Sequence, residues 1–171
     1  SIGSLRIAGL GLAVGARACL RQGYPARATR QLAAARQTLQ RGGVRVELLE
    51  VDFVHAGVHL DRGSWQRVPE RADRGAAGAR ASGWVLAEAM RPMLVGRALL
   101  GAGRLDQAIA ELERALASAR ESGATGTEAL AAAALEQAVT SVPVATRGSA
   151  AASVHAVILV LVATPVPAGL S

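Results

Sequence analysis

Lysine is missing from this 171-residue chain: all 19 of its basic residues are arginine. Aromatics are nearly missing as well, at 2%, although hydrophobic residues make up 51%. Cysteine occurs once, as Cys19. Each shortage excludes something. A single thiol rules out a disulfide framework within the chain, which suits a reducing compartment and a cytoplasmic setting. Few rings mean that the arginines are not interleaved with stacking platforms, as single-strand nucleic-acid surfaces often are. Ala and Leu must then supply most of the buried surface, and such side chains favour helix over sheet and let helices approach closely. Residues 1–20 also lack the ordered charged, apolar and cleavage-site segments of a secretory signal. The first residue is Ser rather than Met, as expected of an excised segment.

The charge is lopsided. Residues 1–80 hold 13 Arg against 6 acids, a net of +7, and residues 81–171 hold 6 Arg against 7 acids, a net of −1. A basic half attracts anionic partners in general. Here the arginines are scattered along helices, and Arg in place of Lys with abundant Ala and Gly fits a GC-rich coding sequence. Nucleic-acid binding by this chain alone is therefore not expected beyond weak, salt-sensitive contacts through Arg27, Arg30, Arg67, Arg71 and Arg74.

An internal period organises the rest. Gly23, Gly63 and Gly103 recur at a constant step of 40, and so do Gly43, Gly83 and Gly123. The flanks agree. Ala28, Leu32, Ala35 and Leu39 follow the first glycine, and Ala108, Leu112, Ala115 and Ala119 follow the third. The middle unit is weaker, with Val68, Ala72, Gly75 and Ala79. Apolar residues recur at three- and four-residue steps, the period of one helix face. Each unit reads as helix, glycine turn, helix, glycine stop. First helices are predicted at about 5–21, 46–62 and 86–102, second helices at about 25–41, 65–81 and 105–121. Pro69 and Pro92 lie several residues inside these spans, so a late start or a kink is expected there. The array spans 5–142, in units of about 5–43, 46–83, 86–123 and a partial 125–142, followed by a tail over 143–171.

The run from Gly96 to Leu116 (GRALLGAGRLDQAIAELERAL) resembles a tetratricopeptide repeat. Gly96, Ala108 and Ala115 take its small-residue places and Leu112 the large apolar place between them. Ala16, Ala28, Leu32 and Ala35 repeat the match in the first unit. The period of 40 departs from the usual 34, and the closing proline is absent. Longer units of this kind are similar to the repeat region of large bacterial LuxR-type, ATP-binding transcriptional regulators. The resemblance implies an all-α, tetratricopeptide-like solenoid of antiparallel helix pairs whose first helices line a concave surface. It also implies a place in signalling or transcription regulation. No phosphate-binding loop or helix-turn-helix reader occurs in the chain itself.

Candidate constellations yield to this register. His55 and His59 share a helix face with Asp52 one turn before, a partial zinc set, but they align with Val95 and with Cys19 and Leu99 at inward places. Cys19 is read as a small buried hydrophobe rather than a reactive thiol. Trp65 and Trp84 are read as packing residues. The tail run Val154–Ala163 is short for a membrane span, and a capping helix, an irregular end and an anchor remain open for it. No paired carboxylates, nucleophile with base, or complete metal set is present, so neither an enzyme nor a cofactor is expected. The expected working surface is a groove of Arg17, Glu50, Phe53, Asp61, Met90, Met93 and Arg97, with Phe53 and both Met partly exposed; the alternative is that Phe53 and the Met residues fill the core and leave a polar groove. The expected surface suits a peptide or protein segment, or an adjacent domain of a larger regulator. The alternatives are a small-molecule sensor in the same groove and weak nucleic-acid binding through the Arg-rich half. No membrane partner is expected.

Overall fold

The structure is a computed structural model that describes residues 2–43 and 46–141. The tail assigned to 143–171 lies outside the described residues. Among those described, all regular structure is helical: α1 (Ile2–Arg21), α2 (Pro25–Arg41), α3 (Val46–Asp61), α4 (Val68–Ser82), α5 (Met90–Gly101), α6 (Leu105–Ser122) and α7 (Thr125–Ser141). Short 3-10 turns over Trp65–Arg67 and Val85–Ala87 precede α4 and α5.

The glycine register sets the turns. Gly23, Gly43, Gly63, Gly83, Gly103 and Gly123 have φ between +64° and +78°, a left-handed conformation that a Cβ disfavours. At the end of α1, Gly23 N–H donates to Leu20 O (2.9 Å) and Tyr24 N–H to Cys19 O (2.8 Å). That paired closure satisfies carbonyls that the helix end would leave bare. It recurs at the ends of α3, α4, α5 and α6, as in Gly123 to Arg120 O and Ala124 to Ala119 O.

The prolines shift two helix starts. Regular helix begins at Val68 rather than 65, with Pro69 in its first turn, and at Met90 rather than 86, with Pro92 in its first turn. A proline has no N–H to give and clashes with the turn before it, so the preceding residues form 3-10 turns instead. Both prolines thus produce the late start rather than the kink.

Helix contacts follow chain order in a fixed scheme. Each helix packs on the next, and α1 also touches α3, α3 touches α5, and α5 touches α7. Among the described residues α2, α4 and α6 make no contact with one another. Close approach depends on small residues: a Cβ on Gly9 would lie 2.5 Å from the Leu39 side chain, and one on Gly96 would lie 2.7 Å from Leu112. Two apolar cores result. One gathers Ala13, Ala16, Cys19, Leu32 and Leu39 with Val51, Val54 and Val58 of α3. The other gathers Phe53, Ala56 and Leu60 of α3 with Met93, Leu112, Leu116 and Leu135. Helix α3 therefore lies between both cores and has no single apolar face.

Candidate binding cleft

The seven residues expected to share a groove divide between two cavities and the core. Arg17, Glu50, Phe53 and Met90 line a cavity of about 320 Å³, together with Trp84, Ala87, Gly123, Ala124 and the first residues of α7, Thr125 to Thr127. Asp61 and Arg97 line a second cavity of about 420 Å³, with Leu60, Trp65 and Gln137. Glu50 and Asp61 stand about 16 Å apart along their helix, so one continuous row opens into two hollows at its two ends. Met93 lies in neither; it is buried in the second core.

The expected partial exposure fails for two of the three apolar residues. Phe53 is 3% exposed and Met93 2%, while Met90 is half-buried. The cause for Phe53 is across the helix pair. A Cβ on Gly75 would lie 2.7 Å from the Phe53 ring, so the missing side chain at Gly75 opens a slot that draws the ring into the core. Phe53 is a cavity floor rather than a projecting anchor. The exposed apolar groups at that cavity are Trp84, 39% exposed, and the flank of Met90, whose Sδ accepts from Thr127 Oγ1 at 3.4 Å. Arg17 and Glu50 pair across α1 and α3 at 3.2 Å and frame the cavity with charge. Trp84 and the 123–127 segment, which runs from the end of α6 into α7, are absent from the sequence-based set. Ala124 takes the place of Trp84 in the next unit, so the same register puts both at the helix ends that close this hollow.

The second cavity is walled by Trp65, whose ring lies where a Cβ on Gly101 would come within 2.8 Å. Arg97 is half-buried beside it and forms no ion pair among the described residues.

The histidine pair lies elsewhere, on α3. The rings of His55 and His59 stack with centroids 5.2 Å apart and planes within 6°. Both are half-buried, not core. Burial, then the charge of Arg71, the His59 ring and Arg36, push His55 down to about 4. Burial, then Arg67, Arg71 and Arg62, lower His59, with Glu70 opposing. Asp52, the acid that would complete a metal set, accepts from Arg36 and, at 3.4 Å, from Arg71. Guanidinium groups thus already hold that carboxylate, and their positive field disfavours a cation. Among the described residues no group of three or more His, Cys, Asp or Glu stands together. Cys19 is buried in the first core, where its thiol donates to Gln31 Oε1 at 3.3 Å.

Helix α1 is long and apolar enough by composition to cross a bilayer, although one stripe of it packs into the first core. Comparison with family models, with curated proteins and with solved structures gives no match.

Proposed function

We propose that this chain is a non-catalytic helical scaffold that holds a protein or peptide segment in the cleft framed by Arg17, Glu50, Trp84 and Met90. The observation that carries the reading is the cleft itself. Helices α1, α3 and α5, the turn before α5 and the start of α7 converge on an apolar floor, with one ion pair at the edge and an exposed tryptophan at the rim. Aromatic, Met and Arg side chains around an apolar centre are the composition that anchors protein segments.

In this reading the architecture is a tetratricopeptide-like solenoid of antiparallel pairs. Two observations support it: Gly9 faces Leu39 while Gly15 faces Gln31, so position rises on α1 as it falls on α2, and first helices touch one another while second helices do not. The repeat resemblance then suggests a segment of a cytoplasmic bacterial signalling or transcriptional regulator, with the partner drawn from its adjacent domains or from another protein. A small-molecule ligand is the second reading. The volume of about 320 Å³ falls at the lower end of ligand pockets, but the rim residues Arg17, Trp84, Thr125 and Gly126 are exposed, which suits a segment that runs on past the cleft.

Peptide display against the whole chain tests this. Selected peptides should carry apolar anchors and bind about tenfold or more weakly to Met90→Arg, with helicity unchanged. Enrichment that is equal for wild type and Met90→Arg would defeat the cleft assignment.

A further inference from the structure

Helices α2 and α4 do not touch, and α3 packs on both. Asp52 of α3 takes Arg36 from α2 and Arg71 from α4 across that gap. His55 follows one turn later and His59 a turn after it, so the stacked rings lie along the same gap, half-buried and reachable from solvent. Four guanidinium groups surround the pair. The charges of Arg71 and Arg36 act on His55, and those of Arg67, Arg71 and Arg62 on His59, with Glu70 opposing. The two acids beside the rings are already engaged, Asp52 with Arg36 and Arg71, and Glu70 with Arg74 at 2.7 Å. Arg62 and Arg67 are exposed and enter no ion pair among the described residues.

The repeat does not require this concentration of charge. One unit on, the places of Arg36, His55, His59, Arg62, Arg67 and Arg71 hold Ala76, Val95, Leu99, Ala102, Gln107 and Glu111. Helices α4, α5 and α6 stack there in the same scheme without a base at any of the six. In the α2–α4 gap the grouping has a cost: burial first, and then the arginines, hold both imidazoles below their ordinary value. An anion turns that cost into attraction. Arg36 and Arg71 each give Asp52 one nitrogen, and a guanidinium has five N–H groups, so donors remain. The rings, 5.2 Å apart, are close enough for both to touch one tetrahedral anion. A phosphate monoester brings nearly two charges and three acceptor oxygens, and guanidinium forks match them in pairs. A carboxylate brings one charge and two oxygens.

We propose that the gap between α2 and α4 is a binding site for a phosphate monoester group, with His55 and His59 beneath it and Arg36, Arg67 and Arg71 around it. Bound there, the anion draws protons onto the imidazoles, so binding takes up protons near neutral pH. The site shares no residue with the cleft of Trp84 and Met90, and its failure would leave the peptide-binding reading untouched.

Inorganic phosphate and sulfate are the probes, titrated into the whole chain at an ionic strength held constant with chloride. The ring resonances of His55 and His59 should shift with phosphate and saturate as one site. Arg67→Gln should weaken binding about tenfold with helicity by circular dichroism unchanged, and the double variant His55→Gln, His59→Gln at least as much. Arg104→Gln, the same charge change in another unit, should leave binding as it was. Sulfate stays a dianion throughout, so its pH dependence reports the rings. It should bind tighter as the pH falls from about 8 to about 6, and the double variant should lose that dependence. Arg62→Gln replaces the double variant in the phosphate titration should the latter lose helicity. Glycerol phosphate and a phosphoserine peptide then distinguish the carrier of the group: tighter binding of the peptide assigns a phosphorylated segment, equal binding a small ester, and either result upholds the site. Chloride that shifts the rings as far as phosphate does overturns the proposal, as does a loss in Arg104→Gln equal to that in Arg67→Gln. So does sulfate binding that ignores pH in wild type. A DNA oligonucleotide that binds where phosphate does not overturns it too, in favour of a general polyanion surface.

Discussion

Two three-residue charge clusters tie successive first helices to the second helices on either side, and their signs are opposite. In one, Asp52 of α3 sits between Arg36 of α2 and Arg71 of α4. In the other, Arg91 of α5 sits between Asp73 of α4 (2.7 Å) and Glu111 of α6 (3.6 Å). Arg71 and Glu111 occupy the same place in successive units. An acid between two bases has become a base between two acids. The centres do not coincide, since Asp52 aligns with Pro92 and Arg91 with Val51, so what the units share is a bridge between second helices that do not touch, and neither its charge nor its central position.

Burial separates the two. The Asp52 side chain is 8% exposed, and Asp52 is the one charged residue fully buried among those described; the Arg91 side chain is 35% exposed and its partner Asp73 56%. The first bridge works in a low-dielectric setting, where losing a partner strands a charge. The Arg91–Asp73 contact of the second works near water, where screening takes most of its strength, while Glu111 at its other end has a side chain only 13% exposed.

Removing the centre of each bridge should therefore have unequal cost. Asp52→Ala leaves Arg36, Arg71 and the histidine pair facing one another without an acid, and should destabilise the fold by about 3 kcal/mol in denaturant unfolding. A loss below about 1 kcal/mol would mean that water already compensates the arginines.

Acid should add a positive charge beside the arginines of the Asp52 bridge, through His55. His55 has a folded-state value of about 4, below its ordinary 6.5, because burial and Arg71 disfavour its charged form. Between those values the unfolded chain binds the proton and the folded chain does not. The stability held above pH 6.5 is then lost as the pH falls towards 4, by about 1 kcal/mol once the half-exposure of the ring is allowed for. Thermal melts of wild type and His55→Gln should diverge across that window, with the variant the flatter. Parallel curves would take His55 out of the pH response.

The smallest effect belongs to Arg91→Ala: at most about 1 kcal/mol, shrinking further in high salt. Glu111 works both ways: its Oε1 keeps Arg114 at 2.8 Å, whereas its buried Oε2, which has no hydrogen bond among the described residues, loses Arg91 at 3.6 Å. A loss as large as that of Asp52→Ala, insensitive to salt, would erase the distinction between the two bridges.

Neither bridge was legible in the sequence. The helices were, because the six evenly spaced glycines and the apolar spacing are local signals, and Pro69 and Pro92 announced the displaced starts of α4 and α5. Asp52 was readable only as a partner of the histidines one turn away, since its true partners, Arg36 and Arg71, lie on other helices. The cleft came through in part for the same reason. Register places Arg17, Glu50, Phe53 and Met90 at one hollow, but Phe53 turns inward because of an absence at Gly75, a residue on another helix. Trp84 reads as packing in the sequence, and only its exposure at the rim gives it a second role.

Helix α3 gives the molecule a shared wall. Val51, Val54 and Val58 belong to one core, Phe53, Ala56 and Leu60 to the other, and Asp52 on the same helix reaches both neighbouring second helices. Either core can open only by baring a face of this helix, and each opening weakens the other side. The two cores are in that sense a single cooperative unit despite their separate membership. Among the described helices, α1 can peel away at the cost of one core face and α7 at the cost of another, while α3 can let go only after both.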